Sequence, residues 1–148
     1  MVAALLMGSL LQRMSTYDAQ VEQLAVVKMV TVLRSALTLR AGHLQASGRA
    51  AEVQLLAGQN PFTWLAERPA NYVGEYYTPV PKTVLPGQWY FNRSNKAVTY
   101  LLHSGKIFPY STTNSLQYTV ELLHLPRDNA KSAATPQNSS VALIQVDG

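Results

Sequence analysis

Cysteine is absent from this 148-residue sequence, and charged residues make up only 14% of it. Without cysteine the chain can form neither disulfide bonds nor cysteine-based zinc sites. Its 12 lysines and arginines are scattered along the chain, and the formal net charge is +4. A nucleic-acid binder needs a basic patch or stripe, so we expect no nucleic-acid partner.

A hydrophobic run long enough to cross a membrane is also missing. Residues 2–11 (VAALLMGSLL) carry no charge, and Gln12 and Arg13 end the run. A spanning helix requires about 20 apolar residues, and a secretory signal peptide requires basic residues before its apolar core. Three interpretations remain: a buried helix end, an interfacial anchor, or the second half of a transmembrane segment whose first half precedes this sequence.

Residues 2–45 contain no proline and are rich in good helix formers, which predicts one long helix. Gly42 begins its expected end, and Gly48 is a second candidate stop. One apolar stripe recurs at helical spacing and is predicted to pack on the rest of the domain; it consists of Val26, Met29, Val30, Leu33, Ala36 and Leu37.

Apolar positions outside this stripe are more numerous than an ordinary surface helix carries. We expect them to contact another subunit or a membrane, unless the domain wraps more of the helix than this pattern indicates. The candidates are Val2, Leu5, Leu6, Leu10, Leu11, Val27, Val32 and Leu39.

The next segment, 49–86, is a connector. Residues 50–57 are predicted to form a short helix that Gly58 terminates, and Asn60 and Pro61 cap a second short helix over 62–66. Four prolines and two glycines follow in 69–87, which excludes long regular elements there. Aromatic residues are expected to fix the connector onto the domain or, alternatively, to line a ligand groove; the predicted aromatic core is Phe62, Trp64, Tyr72, Trp89 and Tyr90.

Four strands are predicted after the connector, at 88–92, 97–103, 116–125 and 141–146, with a long polar loop at 127–140. Because strands do not alternate with helices, the sheet is expected to be antiparallel. The predicted fold class is α+β, with a long N-terminal helix (1–48) packed on a small antiparallel sheet of about four strands. Residues 49–148 comprise the connector and this β domain, and they form a single domain with the helix.

Sites for chemistry are scarce. The sequence has no nucleophile elbow, no phosphate-binding glycine loop and no HExxH motif. Its histidines, His43, His103 and His124, are interpreted as surface or half-buried residues, and Asp18 with Glu22 as a solvated helix face. We therefore predict no catalytic residue, no metal site and no cofactor.

Several short motifs, taken in order, resemble those of bacterial type IV pilins and type II secretion pseudopilins of the mannose-sensitive haemagglutinin and general secretion type. They are LRSAL at 33–37, NPF at 60–62, PANYVG at 69–74, PGQWYF at 86–91 and VTYL at 98–101. The resemblance covers about 10–146. The pilin leader and the glutamate near the start of its hydrophobic segment are not present, so we expect 2–11 to match the latter half of that segment.

This resemblance implies a non-catalytic structural subunit, a minor pilin or pseudopilin of a type IV pilus or type II secretion filament. Its partners would be other pilin or pseudopilin subunits, contacted through the N-terminal helix, and the bacterial inner membrane if the native N-terminus is longer. A single-pass location with a periplasmic or extracellular β domain follows. The rival hypothesis is a soluble periplasmic ligand-binding or adaptor domain.

Overall fold

The computed structural model describes residues 2–103, 114–123 and 140–146, and it describes side chains from Gln20 onward. The chain has an α+β fold, with one long N-terminal helix followed by a five-stranded mixed sheet. Its regular elements are α1 (Val2–Ala46), two 3-10 helices (Ala50–Leu56 and Pro61–Trp64), and the strands β1 (Tyr72–Tyr76), β2 (Trp89–Asn92), β3 (Ala97–Leu101), β4 (Ser115–Leu123) and β5 (Ser140–Val146).

Helix α1 ends at Ala46, and Gly48 rather than Gly42 terminates it. Gly48 adopts a positive φ of 72°, a left-handed conformation that suits glycine. Its N–H donates to the carbonyl of Gln45, and the N–H of Arg49 donates to that of Leu44, at 3.2 and 2.8 Å. This pair of bonds is a Schellman cap and satisfies carbonyls that the helix end leaves free. Gly42 lies inside the helix, so the expectation that it begins the helix end is wrong.

The buried face of α1 forms one side of the hydrophobic core. Val26, Val30, Leu33 and Leu37 are buried, whereas Met29 and Ala36 are half-buried at the border of the same face. Leu44 extends this face by two more turns. On the sheet side the core cluster contains side chains from β2 to β5, among them Trp89, Val98, Leu116, Val120 and Leu143.

Strands β2 to β5 form an antiparallel meander in chain order. The longest pairing joins β4 and β5, from Gln117 opposite Val146 to Leu123 opposite Ser140. Helix α1 also binds this end of the sheet through Arg34, whose guanidinium donates to the carbonyl of Leu143 at 3.3 and 3.4 Å. The predicted loop at 127–140 lies outside the described residues, except for Ser140, which begins β5.

The prediction of about four antiparallel strands is wrong in one respect, because β1 adds a fifth strand that runs parallel to β2. This strand lies inside the connector, where no long regular element was expected. Pro69 and Pro79 flank it without interrupting it, and Gly74, at φ 118°, lies at the irregularity in its pairing. A parallel neighbour needs a crossover of about a dozen residues, which the segment 77–88 supplies.

Aromatic rings tie the connector to the sheet. The Asn60 side chain accepts from the N–H of Phe62 at 3.1 Å and so caps the second 3-10 helix, as predicted. Phe62 stacks on Tyr72 with ring centroids 4.2 Å apart and also contacts Trp89. Phe62 and Trp89 are buried in the main core, and Trp64 and Tyr72 pack against it half-buried.

Tyr90 is buried on the other face of the sheet. Successive side chains of a strand point to opposite faces, so Tyr90 does not join Trp89 in the core cluster. It contacts Tyr76 edge-on, with ring centroids 6.3 Å apart. The predicted aromatic core is therefore divided between two faces of the sheet.

Candidate interaction surface

The outward face of α1 carries a seam of exposed residues whose spacing alternates between four and three. We call this row the exposed seam; it consists of Val21, Ala25, Lys28, Val32, Ser35, Leu39, Gly42 and Ala46, all of them exposed. Exposed fractions are 48% for Val21, 41% for Val32 and 74% for Leu39. Such spacing keeps a row of side chains on one side of a helix and is typical of helices that pack lengthwise on another helix.

The composition of the exposed seam favours the close approach of a second helix. Ala25, Ser35, Gly42 and Ala46 are small, and the distance between packed helices depends on the side chains at their contact. Lys28 is its one charged residue. From Val32 to Gly42 large apolar and small side chains alternate along the seam, which leaves room between the large ones for the side chains of a partner.

Of the apolar residues predicted to contact partners, Val32 and Leu39 belong to the exposed seam. Val27 is also exposed, but it precedes Val32 by five residues and so lies about 140° away around the helix. Leu24 is also exposed, beside the seam. The other candidates have side chains outside the described part of the chain; they are Val2, Leu5, Leu6, Leu10 and Leu11.

A groove of about 780 Å³ lies between α1 and the second 3-10 helix. Val32, Ala36 and Leu39 line it on the helix side, and Trp64 and Leu65 line it on the other. Its remaining lining residues are Thr31, Ser35, Arg40, His43, Thr63 and Ala66. Arg40 is the permanently charged side chain of the lining, so the groove combines an apolar wall with one cation.

A cluster of ionisable residues, Glu22, Tyr100 and His103, joins α1 to the end of β3. Glu22 is only 8% exposed, so the interpretation of this position as a solvated helix face is wrong. Its Oε1 atom accepts from the Tyr100 hydroxyl at 2.9 Å, from the His103 N–H at 3.0 Å and from His103 Nδ1 at 2.7 Å. His103 keeps most of its side chain exposed, in agreement with its interpretation as a surface or half-buried residue.

The sequence does contain one signal for this cluster. Glu22 precedes Val26 by four residues and therefore continues the buried stripe of α1 by one turn. A carboxylate on such a stripe needs hydrogen-bond donors, but nothing in the local pattern indicates that the donors lie about 80 residues later, at the end of β3 and just after it.

The pKa values of Glu22 and Tyr100 in this cluster are shifted in opposite directions. Burial raises the pKa of Glu22, but hydrogen bonds from the His103 backbone and ring and from Tyr100 outweigh it, and the net pKa is lowered below 4.5. Burial and the neighbouring Glu22 carboxylate raise the pKa of Tyr100. The cluster therefore holds a carboxylate beside a neutral phenol at neutral pH.

Gly87 fixes the position of the His103 ring. A Cβ atom on residue 87 would lie 2.6 Å from Cε1 of His103, and Gly87 has a positive φ of 85°. The N–H of Gly87 donates to the carbonyl of Leu101 at 2.7 Å. The glycine thus brings the backbone close enough to the end of β3 for the imidazole ring to lie against it.

The other predicted histidines lie apart from this cluster. His43 is exposed on α1 and lines the groove, and His124 lies outside the described residues. Among the described residues, no group of three or more His, Cys, Asp or Glu side chains is arranged to hold a metal ion. Within the same part of the chain, no helix combines the length and apolar character that a membrane crossing requires.

Comparison with protein-family models, with curated proteins and with solved structures finds no match to this chain.

Proposed function

We propose that this protein is a non-catalytic assembly subunit that binds other subunits through the exposed seam of α1. On the sequence resemblance, the assembly is a type IV pilus or type II secretion filament, and the subunit is a minor pilin or pseudopilin. Its β domain would then lie on the periplasmic or extracellular side of the bacterial inner membrane, with the N-terminal part of α1 as its attachment.

The observation that carries this proposal is the division of α1 into two apolar faces. One face, from Val26 to Leu44, is buried against the sheet, and the exposed seam lies on the other side. A helix that served a single domain alone would carry polar residues opposite its buried face. Val21, Val32 and Leu39 instead present apolar surface at a spacing that a second helix can match.

Sedimentation of the full chain in detergent-free buffer tests the proposal. We expect wild-type protein to associate as its concentration rises, because helix-to-helix packing removes the exposed seam from water. The double substitution Val32→Lys and Leu39→Lys should weaken association by at least about tenfold, because two charges would enter the contact. Leu55→Lys is the matched control, since Leu55 is 60% exposed but lies on the first 3-10 helix.

If Leu55→Lys weakens association as much as the double substitution does, the loss is not specific to the exposed seam. The seam would then not be the contact between subunits. A wild-type chain that stays monomeric at every concentration would remove the main support for assembly.

A second candidate function, a ligand-binding or adaptor domain, is favoured by the groove between α1 and Trp64. Its volume of about 780 Å³ is within the range of small-molecule sites, roughly 300–1,000 Å³. Arg40 and His43 at one end would select a ligand that joins an apolar body to an anionic group. This function predicts the opposite result in the same sedimentation experiment, a monomer at all concentrations.

A further inference from the structure

The spacing of the exposed seam is the same in both directions along α1. Its eight residues are separated by steps of four, three, four, three, four, three and four positions, and reversing the helix leaves this order unchanged. Two copies laid antiparallel therefore match position for position about a midpoint between Leu33 and Arg34. The seam can thus pack on itself along its whole length.

Side-chain size favours this antiparallel register over a parallel one. The pairs that face each other are Val21 with Ala46, Ala25 with Gly42, Lys28 with Leu39, and Val32 with Ser35. At Val21 and at Val32 a large apolar side chain meets a small one, which is how facing helices fill the space between them. In a parallel pair in register, valine would face valine and glycine would face glycine, so wide and narrow layers would follow one another.

Charge favours the same register. In a parallel pair in register, Lys28 of one copy faces Lys28 of the other, and like charges in contact oppose association. In the antiparallel pair Lys28 faces Leu39, so its aliphatic stem can cover the leucine while its ammonium group reaches water. Leu39 lines the groove together with Trp64, and a tryptophan ring is a good partner for a cation.

We propose that the partner of the exposed seam is a second copy of this chain, bound antiparallel about a two-fold axis. This inference rests on the proposed role of the seam and names its partner. Because the seam lies on the side of α1 away from the buried face, the two sheets lie on the outer sides of the helix pair. A two-fold contact is closed, so this dimer covers both seams and must separate before a filament can grow through them.

Disulfide trapping in the full chain tests the register, because the protein lacks cysteine. Val21→Cys and Ala46→Cys are prepared separately, one with an affinity tag, then mixed and oxidised at a concentration where the wild type associates. We expect a disulfide-linked heterodimer in the mixture and none from either variant alone. Like residues of the antiparallel pair lie about 37 Å apart along the helix, whereas a disulfide requires Cα atoms within about 7 Å.

A second pair of variants and a control complete the experiment. Lys28→Cys mixed with Leu39→Cys should also form the heterodimer, because these positions face each other in the same register. Val21→Cys mixed with Leu55→Cys is the matched control, since Leu55 is exposed but lies on the first 3-10 helix. All of these substitutions replace exposed side chains, and fluorescence of the buried Trp89 checks that the core is intact.

A disulfide formed by Val21→Cys alone would overturn the antiparallel register and indicate a parallel pair, although the seam would keep its role in assembly. Equal trapping in the Leu55→Cys control would also overturn it, because the disulfides would then report random collisions. If both mixed pairs stay uncrosslinked while the wild type still associates, the dimer is refuted and the proposed function stands. A wild-type chain that stays monomeric at every concentration would remove both.

Discussion

Glu22 and Gly87 both adjoin the ring of His103, although they contribute to its position in different ways. Glu22 supplies the charge, and Gly87 supplies the space in which the His103 ring can reach that charge. Other described carboxylates, such as Glu67 and Glu121, lie at exposed positions where water can solvate them. A buried carboxylate depends instead on donors that the fold holds in place.

Gly87→Ala should therefore destabilise the protein through two separable effects. The left-handed backbone of residue 87 costs an alanine roughly 1–2 kcal/mol, and the new methyl group would displace the His103 ring. Gly48→Ala is the matched control, since Gly48 also has a positive φ but an added Cβ would meet no atom within 4 Å. We expect urea unfolding to show a larger loss for Gly87→Ala.

The difference in unfolding free energy between Gly87→Ala and Gly48→Ala should disappear when both variants also carry His103→Ala. If the two glycine substitutions cost the same in the wild-type background, the His103 ring is not held against residue 87.

At the scale of single elements, β1 depends on its surroundings more than on its own sequence. It has five residues, contains Gly74 and, among the described strands, pairs with β2 alone. The Asn60 side chain supports it by donating to the hydroxyl of Tyr72 at 2.7 Å and to Glu75 at 3.2 Å. Because Asn60 also caps the second 3-10 helix, one amide joins the two elements.

Asn60→Ala should loosen both elements at once. We expect a loss of about 1–2 kcal/mol in unfolding free energy, since the substitution removes a cap and leaves buried groups without a partner. Amide hydrogen exchange in Tyr72–Tyr76 should become faster as well.

Tyr72→Phe provides the comparison, because it removes the hydroxyl but keeps the ring that stacks on Phe62. Its effect on exchange should be smaller. Equal exchange rates in wild type and Asn60→Ala would mean that pairing with β2 alone maintains β1.

For the molecule as a whole, the pH dependence of stability should depend strongly on Glu22. Its pKa is lower in the folded chain than the value of 4.5 expected when unfolded. Its contribution is therefore fully present above about pH 4.5 and is lost as the pH falls through the folded pKa. The size of this contribution follows the size of the pKa shift, at about 1.4 kcal/mol per pKa unit, beside a typical stability of roughly 5–15 kcal/mol.

Glu22→Gln should accordingly lower the unfolding free energy at pH 7 and reduce its further fall as the pH drops below about 4.5. Thermal or urea unfolding across this range, followed by Trp89 fluorescence, measures both effects. A variant with the same stability as wild type at pH 7 and the same decline in acid would show that Glu22 contributes nothing to the folded state.

Local patterns predict most of this fold, because its helix and meander have local causes. The 3.6-residue period identified the buried face of α1, and alternation along the chain identified β4. The parallel pairing of β1 and the partners of Glu22 have no such local cause. Each joins segments far apart in the chain, and neither the period nor the composition of one segment specifies its distant partner.

The candidate interaction surface was predicted in part. Val32 and Leu39 were recognised as surplus to the packing face, but Val27 was grouped with them, although it lies on another side of the helix. Trp64 was assigned to the core and instead lies at its border, where it also lines the groove. Sequence patterns identify apolar residues, whereas the boundary between core and surface depends on where distant segments pack.

The contact between α1 and β5 also has a consequence during synthesis of the chain. A ribosome produces α1 first and β5 last of the elements described here, and a domain generally folds as a unit. Val26, Val30 and Leu33 therefore leave the ribosome long before Leu143, which completes their core. During that interval the residues of the buried stripe and those of the exposed seam are both open to solvent, so association between chains is favoured before β5 is made.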